Sequence, residues 1–247
     1  MACGEDHDRS GDLLSSLGEL RLIVFDCDGT LVDSQHNIIA AVEQVFRSID
    51  LAPPPVELIR RQIGLAPDAA IAGMLPGQDP ALHRRVSEAF RQLRPHLQAQ
   101  ARPLDPLYPG IHPLIERLSH PELFLGIATG KGRRGLDDLL YRHGLAGQFH
   151  TLQTGDRCRG KPDPDMLLRA MAETGLTATQ TVMIGDTAFD MQMAVSAGCL
   201  AIGVAWGYHA PEDLRAGGAE AIITHPDELL PTLRHLTSHS FQSGQPG

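Results

Sequence analysis

The feature that most constrains this chain is an alternation of short apolar runs with longer amphipathic stretches. The runs are Leu22-Ile23-Val24-Phe25, Leu123 to Ala128, Thr181 to Gly185, Leu200 to Val204 and Ala221 to Thr224. Helical patterns separate them, around Ile111 to Leu118, Arg134 to Tyr141, Asp165 to Glu173 and Ala188 to Ala197. Runs of this length, apolar on both sides, suit strands covered by helices on two faces. The chain is therefore expected to form an α/β fold, a doubly wound, mostly parallel, Rossmann-like sheet.

One stretch breaks the alternation. From Gln35 to Pro106 the pattern is helical throughout, with Ile38, Ile39, Val42, Val45, Phe46 and Ile49 on one stripe and Leu82, Val86, Phe90, Leu93 and Leu97 on another. Pro53-Pro54-Pro55 divides these helices, and Pro103, Pro106 and Pro109-Gly110 close the block. The expected organisation is an α/β core over residues 18–34 and 107–236, with an inserted α-helical cap over 35–106. A loosely ordered start (1–17) and a flexible tail (237–247) flank it.

Several function classes are disfavoured by composition. A formal net charge of -9 opposes nucleic acid and anionic membranes as partners, because both select basic surfaces. The cysteines Cys3, Cys27, Cys158 and Cys199 form no CxxC pair, so neither a disulfide framework nor a zinc site is expected. No apolar run approaches the ~18 residues of a membrane span. The first residues are acidic and lack the pattern of a secretion signal, so a cytoplasmic protein is expected. Monomer and homodimer both remain open.

The strand runs end in a particular kind of residue. The first ends in Asp26-Cys27-Asp28-Gly29-Thr30, the second in Thr129-Gly130-Lys131, and the third in Gly185-Asp186-Thr187 with Asp190 just beyond. In a parallel sheet the carboxyl ends share one edge, where open α/β sheets bind ligands. Asp26, Asp28, Thr129 and Asp186 should therefore converge. Clustered carboxylates repel unless a cation intervenes, and a few carboxylates completed by water and phosphate suit Mg²⁺ better than Ca²⁺. Residues i and i+2 of an extended segment face the same side, so Asp26 and Asp28 can flank one reacting atom, one attacking phosphorus and the other moving a proton. Thr129-Gly130 is expected to open a helix whose free N–H groups favour phosphate, and Lys161, before a helix start near Pro164, supplies positive charge. Lys131 reads equally as a solvated lysine and as a ligand. Each acid has a plainer reading as well, a solvated turn for Asp26 and Asp28 or a helix cap for Asp186.

These segments resemble the haloacid dehalogenase-like hydrolase superfamily. Asp26-Cys27-Asp28-Gly29-Thr30-Leu31-Val32-Asp33-Ser34 is similar to its first signature and Ala128-Thr129-Gly130-Lys131 to its second. Lys161-Pro162-Asp163-Pro164 is similar to the third and Gly185-Asp186-Thr187-Ala188-Phe189-Asp190 to the fourth, in order across roughly Leu20 to Leu236. The helical insert resembles the cap of the phosphoglycolate phosphatase-like branch. The resemblance implies a phosphatase acting on small phosphorylated metabolites. In it Asp26 forms a phosphoaspartate, and Asp28 protonates the leaving alcohol and then activates water. Mg²⁺ is held by Asp26, the carbonyl of Asp28 and Asp186. Thr129, Gly130 and Lys161 hold the phosphoryl group, and Asp190 orients Lys161 or metal-bound water. Phosphomutase, pyrophosphatase, dehalogenase and a non-catalytic binding module are the alternatives; Asp28 and Asp186 count against the dehalogenase. In the insert, Arg60, Arg61 or Gln62 could read the rest of the substrate, if their turn faces the site and is not a solvated basic patch. Cys27, between the two aspartates, reads as a small buried filler.

Overall fold

The computed structural model describes residues 13–15, 17–100 and 105–240, with backbone alone for 94–100 and 239–240. Six parallel strands form one sheet: β1 (Leu22–Phe25), β2 (Phe124–Thr129), β3 (Thr151–Thr154), β4 (Thr181–Gly185), β5 (Leu200–Val204) and β6 (Ala221–Ile223). Their order is β3-β2-β1-β4-β5-β6, which reverses direction between β1 and β4. Register is tight across that boundary, with Phe25 beside Ile184 and the Asp26 N–H donating to the Ile184 carbonyl at 2.9 Å.

The helices are α1 (Gln35–Ser48), α2 (Val56–Arg60), α3 (Pro67–Met74), α4 (Pro80–Gln100), α5 (Ile111–Arg117), α6 (Arg133–Arg142), α7 (Asp165–Thr174), α8 (Ala188–Ala197), α9 (Pro211–Gly217) and α10 (Leu229–Ser240). Alternation along each strand sends neighbouring side chains to opposite faces. Ile23, Phe25, Leu125 and Ile127 join a cluster with residues of α5, α6 and α10, while Leu22, Val24 and Met183 pack with α7, α8 and α9. Complete burial of a side chain such as Phe25 is worth about 1.5–3 kcal/mol. The double covering explains why these runs are apolar in every residue.

α1 to α4 carry a separate core of Val42, Val45, Phe46, Ile59, Ile71, Met74, Val86 and Ala89. The chain leaves the sheet for these helices and returns through two adjacent segments. The Asp33 N–H donates to the Pro106 carbonyl at 2.9 Å, and Val32 bridges Leu107 in antiparallel fashion. Both stripes read from the sequence contribute to this core; the Leu97 side chain and Pro103 lie outside the described residues.

The structure departs from expectation in several places. β3 is a sixth strand with no apolar run to announce it. Its sequence is Thr-Leu-Gln-Thr, and its polar side chains are satisfied locally, Gln153 Nε2 donating to Thr151 Oγ1 at 2.7 Å. Of the stretch expected to be a loosely ordered start, residues 1–12 and 16 lie outside the described residues. Leu17 is buried, and Leu13 and Leu14 pack on the core. Likewise α10 runs through Ser240, and only 241–247 of the expected tail lie outside the described residues. At the start Leu13, Leu14 and Leu17 reach the core, and at the end residues 237–240 continue a helix whose Leu229, Leu230, Leu233 and Leu236 pack on it.

Candidate active site

Each strand of the reversal point delivers an acid to the same edge. β1 ends immediately before Asp26 and β4 immediately before Asp186, and α8 begins two residues later, carrying Asp190 in its first turn. Thr187 caps α8: its Oγ1 accepts from the Asp190 N–H at 3.3 Å, and its own N–H donates to Asp190 Oδ2 at 3.0 Å. This capping arrangement, worth about 1 kcal/mol, also fixes the Asp190 carboxylate. Oxygens of Asp26, Asp186 and Asp190 lie within 4.8 Å of one another, and all three residues are buried.

Lys161 enters this cluster from the segment before α7. Its ammonium lies 2.7 Å from Asp26 Oδ1 and 2.6 Å from Asp190 Oδ1, with all three side chains 0% exposed. Burial works against the charge on Lys161, yet Asp190 and Asp26 hold it well above the usual lysine range. Burial pushes the Asp26 carboxyl well above the usual carboxylate range; Lys161 opposes the rise, and Asp190 and Asp186 add to it. Asp186 is pushed up to about 7, first by burial and then by Asp190. Its Oδ1 accepts from Thr30 Oγ1 at 2.8 Å and its Oδ2 from the Tyr208 N–H at 2.9 Å. Gly29, at φ +92°, presses so closely on Asp186 that an added Cβ would stand 2.7 Å from Oδ1. Only glycine combines that conformation with that approach.

The donor set fits a hard divalent cation. It is all oxygen, it gathers three carboxylates around one lysine, and Asp26 Oδ2 is buried with no hydrogen-bond partner. The three acids are not equivalent. Asp190 spends Oδ1 on Lys161 and Oδ2 on Thr187, Asp186 accepts from the neutral donors Thr30 and Tyr208, and Asp26 Oδ2 is the oxygen left with neither a hydrogen bond nor an ion pair.

Asp28 stands apart from this cluster. Its Oδ1 accepts from Ser34 Oγ at 2.6 Å and pairs with Lys131 Nζ at 3.0 Å. Lys131 is therefore an ion-pair partner, only 20% exposed, and the solvated reading of it does not hold. Thr129 is buried, and its Oγ1 accepts from the Lys131 N–H at 3.2 Å. The expectation that Thr129-Gly130 opens a helix is corrected: Thr129 is the last residue of β2, Gly130 to Gly132 form the connection, and α6 starts at Arg133 with Gly132 as its cap. The helix start expected near Pro164 is found there, with Pro164 at the cap of α7 one position before its first residue.

The helical insert reaches this edge. An added Cβ on Gly130 would stand 2.7 Å from the Gly64 carbonyl oxygen, and one on Gly64 3.7 Å from Asp26 Oδ2. The turn following α2 thus faces the site, and Gln62 lines the adjoining cavity. Arg60 does not: Glu57 holds it at 2.8 Å and Gln35 at 3.2 Å. Arg61 points toward Asp213 at 3.7 Å and is 68% exposed.

Sequence reading passed over Tyr208 and Trp206. The Ser34 N–H donates to the Tyr208 hydroxyl at 3.0 Å, and Trp206 Nε1 donates to the Thr30 carbonyl at 3.0 Å. The available signal was position: Trp206-Gly207-Tyr208 follows β5 at the same sheet edge, in a chain with only 4% aromatic residues.

The chain is 34% identical over 212 residues to the probable phosphatase IndB of Dickeya dadantii, covering 85% of this chain and 91% of that one. It is 30% identical to the N-acetylmuramic acid 6-phosphate phosphatase of Pseudomonas aeruginosa, over 87% of this chain and 95% of that one. A solved hydrolase from Pseudomonas syringae superposes with a TM-score of 0.75 at 27% identity, covering 88% of this chain and 99% of that one. The haloacid dehalogenase-like hydrolase family matches residues 23–204, the span that holds every acid of the site, and this chain belongs to that family.

Proposed function

We propose that this phosphatase is Mg²⁺-dependent and hydrolyses small phosphorylated metabolites through a phosphoaspartate on Asp26. The observation that carries the proposal is the asymmetry of the Asp26 carboxylate. Oδ1 is fixed by the Cys27 N–H at 2.6 Å and by Lys161 at 2.7 Å, whereas the buried Oδ2 has no partner. An unpaired buried oxygen costs about 1–3 kcal/mol or more, a cost that a nucleophile explains.

In this reading Oδ2 attacks phosphorus, an oxygen–phosphorus bond forms, and the bond to the leaving alcohol oxygen breaks. Asp28 gives that oxygen its proton. Ser34 and Lys131 both engage Asp28 Oδ1, which leaves Oδ2 to hold and move the proton. In the second half Asp28 takes a proton from water as the water attacks phosphorus, releasing inorganic phosphate and regenerating Asp26. Lys161, Thr129 and the Gly130 N–H orient the phosphoryl oxygens, and Asp190 positions Lys161. Mg²⁺, held by Asp26, Asp186 and the Asp28 carbonyl, would neutralise charge on the phosphoryl group. The helices of 35–106 act as a cap over the core of 18–34 and 107–236. Cys27 and Cys199 are buried free thiols, which supports a reducing, cytoplasmic setting.

The test is phosphate release from an aryl phosphate with and without Mg²⁺. Activity is expected only with the metal, and Asp26→Asn is expected to abolish it. An Asp26→Asn variant with wild-type turnover would falsify the nucleophile assignment.

A further inference from the structure

The cluster at the sheet edge defines what happens at phosphorus; a separate feature addresses what the phosphate is attached to. A cavity of about 260 Å³ runs from the site into the helical insert. On the side of the acid cluster it is lined by Asp28, Gly130 and Lys131. Its depth is lined by Val45, Phe46, Ile59, Ile71, Met74 and Val86, the same residues that make up the core of the insert.

Position connects the cavity to the reaction. In the reading above Asp28 protonates the leaving oxygen, and Asp28 also lines the cavity. A leaving group whose oxygen touches Asp28 therefore extends into this space.

Charge narrows the choice further. Among the described residues, Lys131 is the only cation lining the cavity, and it is already paired with Asp28 at 3.0 Å. The other charged lining residue is a second acid, Asp105, beside Asn37. The arginines adjacent in sequence to lining residues engage other groups: Arg47 pairs with Glu43, Arg60 with Glu57, Arg61 with Asp213, Arg91 with Asp68 and Arg133 with Asp137, and Arg85 donates to the Ile49 carbonyl. A carboxylate or second phosphate on the leaving group would meet two acids, a lysine already paired and an apolar wall, at a desolvation cost that nothing among the described lining residues offsets. An apolar cavity of about 150 Å³ is dry and takes a benzene ring, so this one has room for a larger hydrocarbon group.

We infer that the substrate is a phosphate monoester whose leaving group is uncharged and largely apolar, an alkyl or aryl alcohol seated between α1, α2, α3 and α4. The inference rests on the phosphatase reading above and adds the substrate class to it. It disfavours phosphoglycolate, whose carboxylate finds no free cation among the described residues lining the cavity.

The experiment measures kcat/KM with Mg²⁺ for a series of linear alkyl phosphates, phenyl and naphthyl phosphate, glycerol phosphate and phosphoglycolate. The expected result is a rise of up to about fourfold per added methylene until the cavity is filled, with phosphoglycolate among the poorest substrates. Ala41→Leu and Ala70→Leu both point methyl groups into the lining and should flatten the rise. A flat or falling series, or a preference for phosphoglycolate, overturns the inference and leaves the phosphatase reading standing. Release from none of these esters overturns both. If neither leucine variant folds, the wild-type series decides alone.

Discussion

Lys161→Met replaces the one buried cation of the acid cluster with an apolar side chain of similar length. In the wild type its ammonium stands 2.6 Å from Asp190 and 2.7 Å from Asp26, with nothing exposed. At an effective dielectric of about 20 each contact is worth roughly 6 kcal/mol of gross attraction. Desolvation consumes most of that. Removing one partner, however, leaves the other charges buried and unpaired, which costs about 3–5 kcal/mol. At roughly 2–4 °C per kcal/mol, the melting temperature should fall by about 6–20 °C. Urea unfolding reads the free-energy loss and a thermal melt reads the shift, both in EDTA so that no metal substitutes for the lysine. The double variant Lys161→Met/Asp190→Leu should recover part of the loss, because it removes an acid along with its counter-charge. Loss of a phosphoryl-directed donor should lower kcat/KM by about 10²–10³ as well. A single variant that loses less than about 1 kcal/mol refutes the reasoning. So does a double variant as unstable as the sum of its parts.

Three further outcomes follow from the same geometry. Gly130→Ala should push the Gly64–Leu65 turn away, since a Cβ there meets the Leu65 carbonyl carbon at 2.6 Å; we expect at least a tenfold fall in kcat/KM with an unchanged circular dichroism spectrum, and wild-type kinetics would contradict the close approach. Mg²⁺ at a hundredfold excess over its dissociation constant should add about 2.7 kcal/mol of stability, seen as a melting shift by calorimetry, and Asp186→Asn should lose that shift. Burial pushes the Cys199 thiol from 9.0 up to about 12, so its folded form keeps a proton that the unfolded form releases. That contribution is present below pH 9 and declines above it by up to about 1.4 kcal/mol per pH unit; Cys199→Ala should show a shallower alkaline loss in urea melts at pH 8 and 10.

Much of this arrangement was legible in the sequence because strands covered on both faces must be apolar in every residue. Once β1, β2 and β4 are found, parallel topology alone brings Asp26, Thr129 and Asp186 to one edge. β3 escaped because Thr151 and Gln153 satisfy each other, leaving no apolar run to detect. Tyr208 escaped for another reason: it holds Asp186 through its backbone N–H, a contact to which side-chain chemistry gives no clue. Arg60 looked like a substrate reader, yet Glu57, three positions earlier on the same helix turn, claims it first. The cavity was invisible for a deeper reason. Periodicity reports that Val45, Phe46 and Val86 face inward, and says nothing of whether their facing surfaces meet.

The paired crossing at Asp33 and Pro106 has a consequence for how such a protein can change. The insert departs and returns one hydrogen bond apart, at 2.9 Å, so its ends demand no particular span from whatever joins them. Closure entropy grows slowly with length, about 0.6 kcal/mol for each doubling. Helices can therefore be exchanged wholesale between these two residues, as a graft onto an unaltered sheet. A new pocket can be acquired in this way while the acids beneath it keep their places.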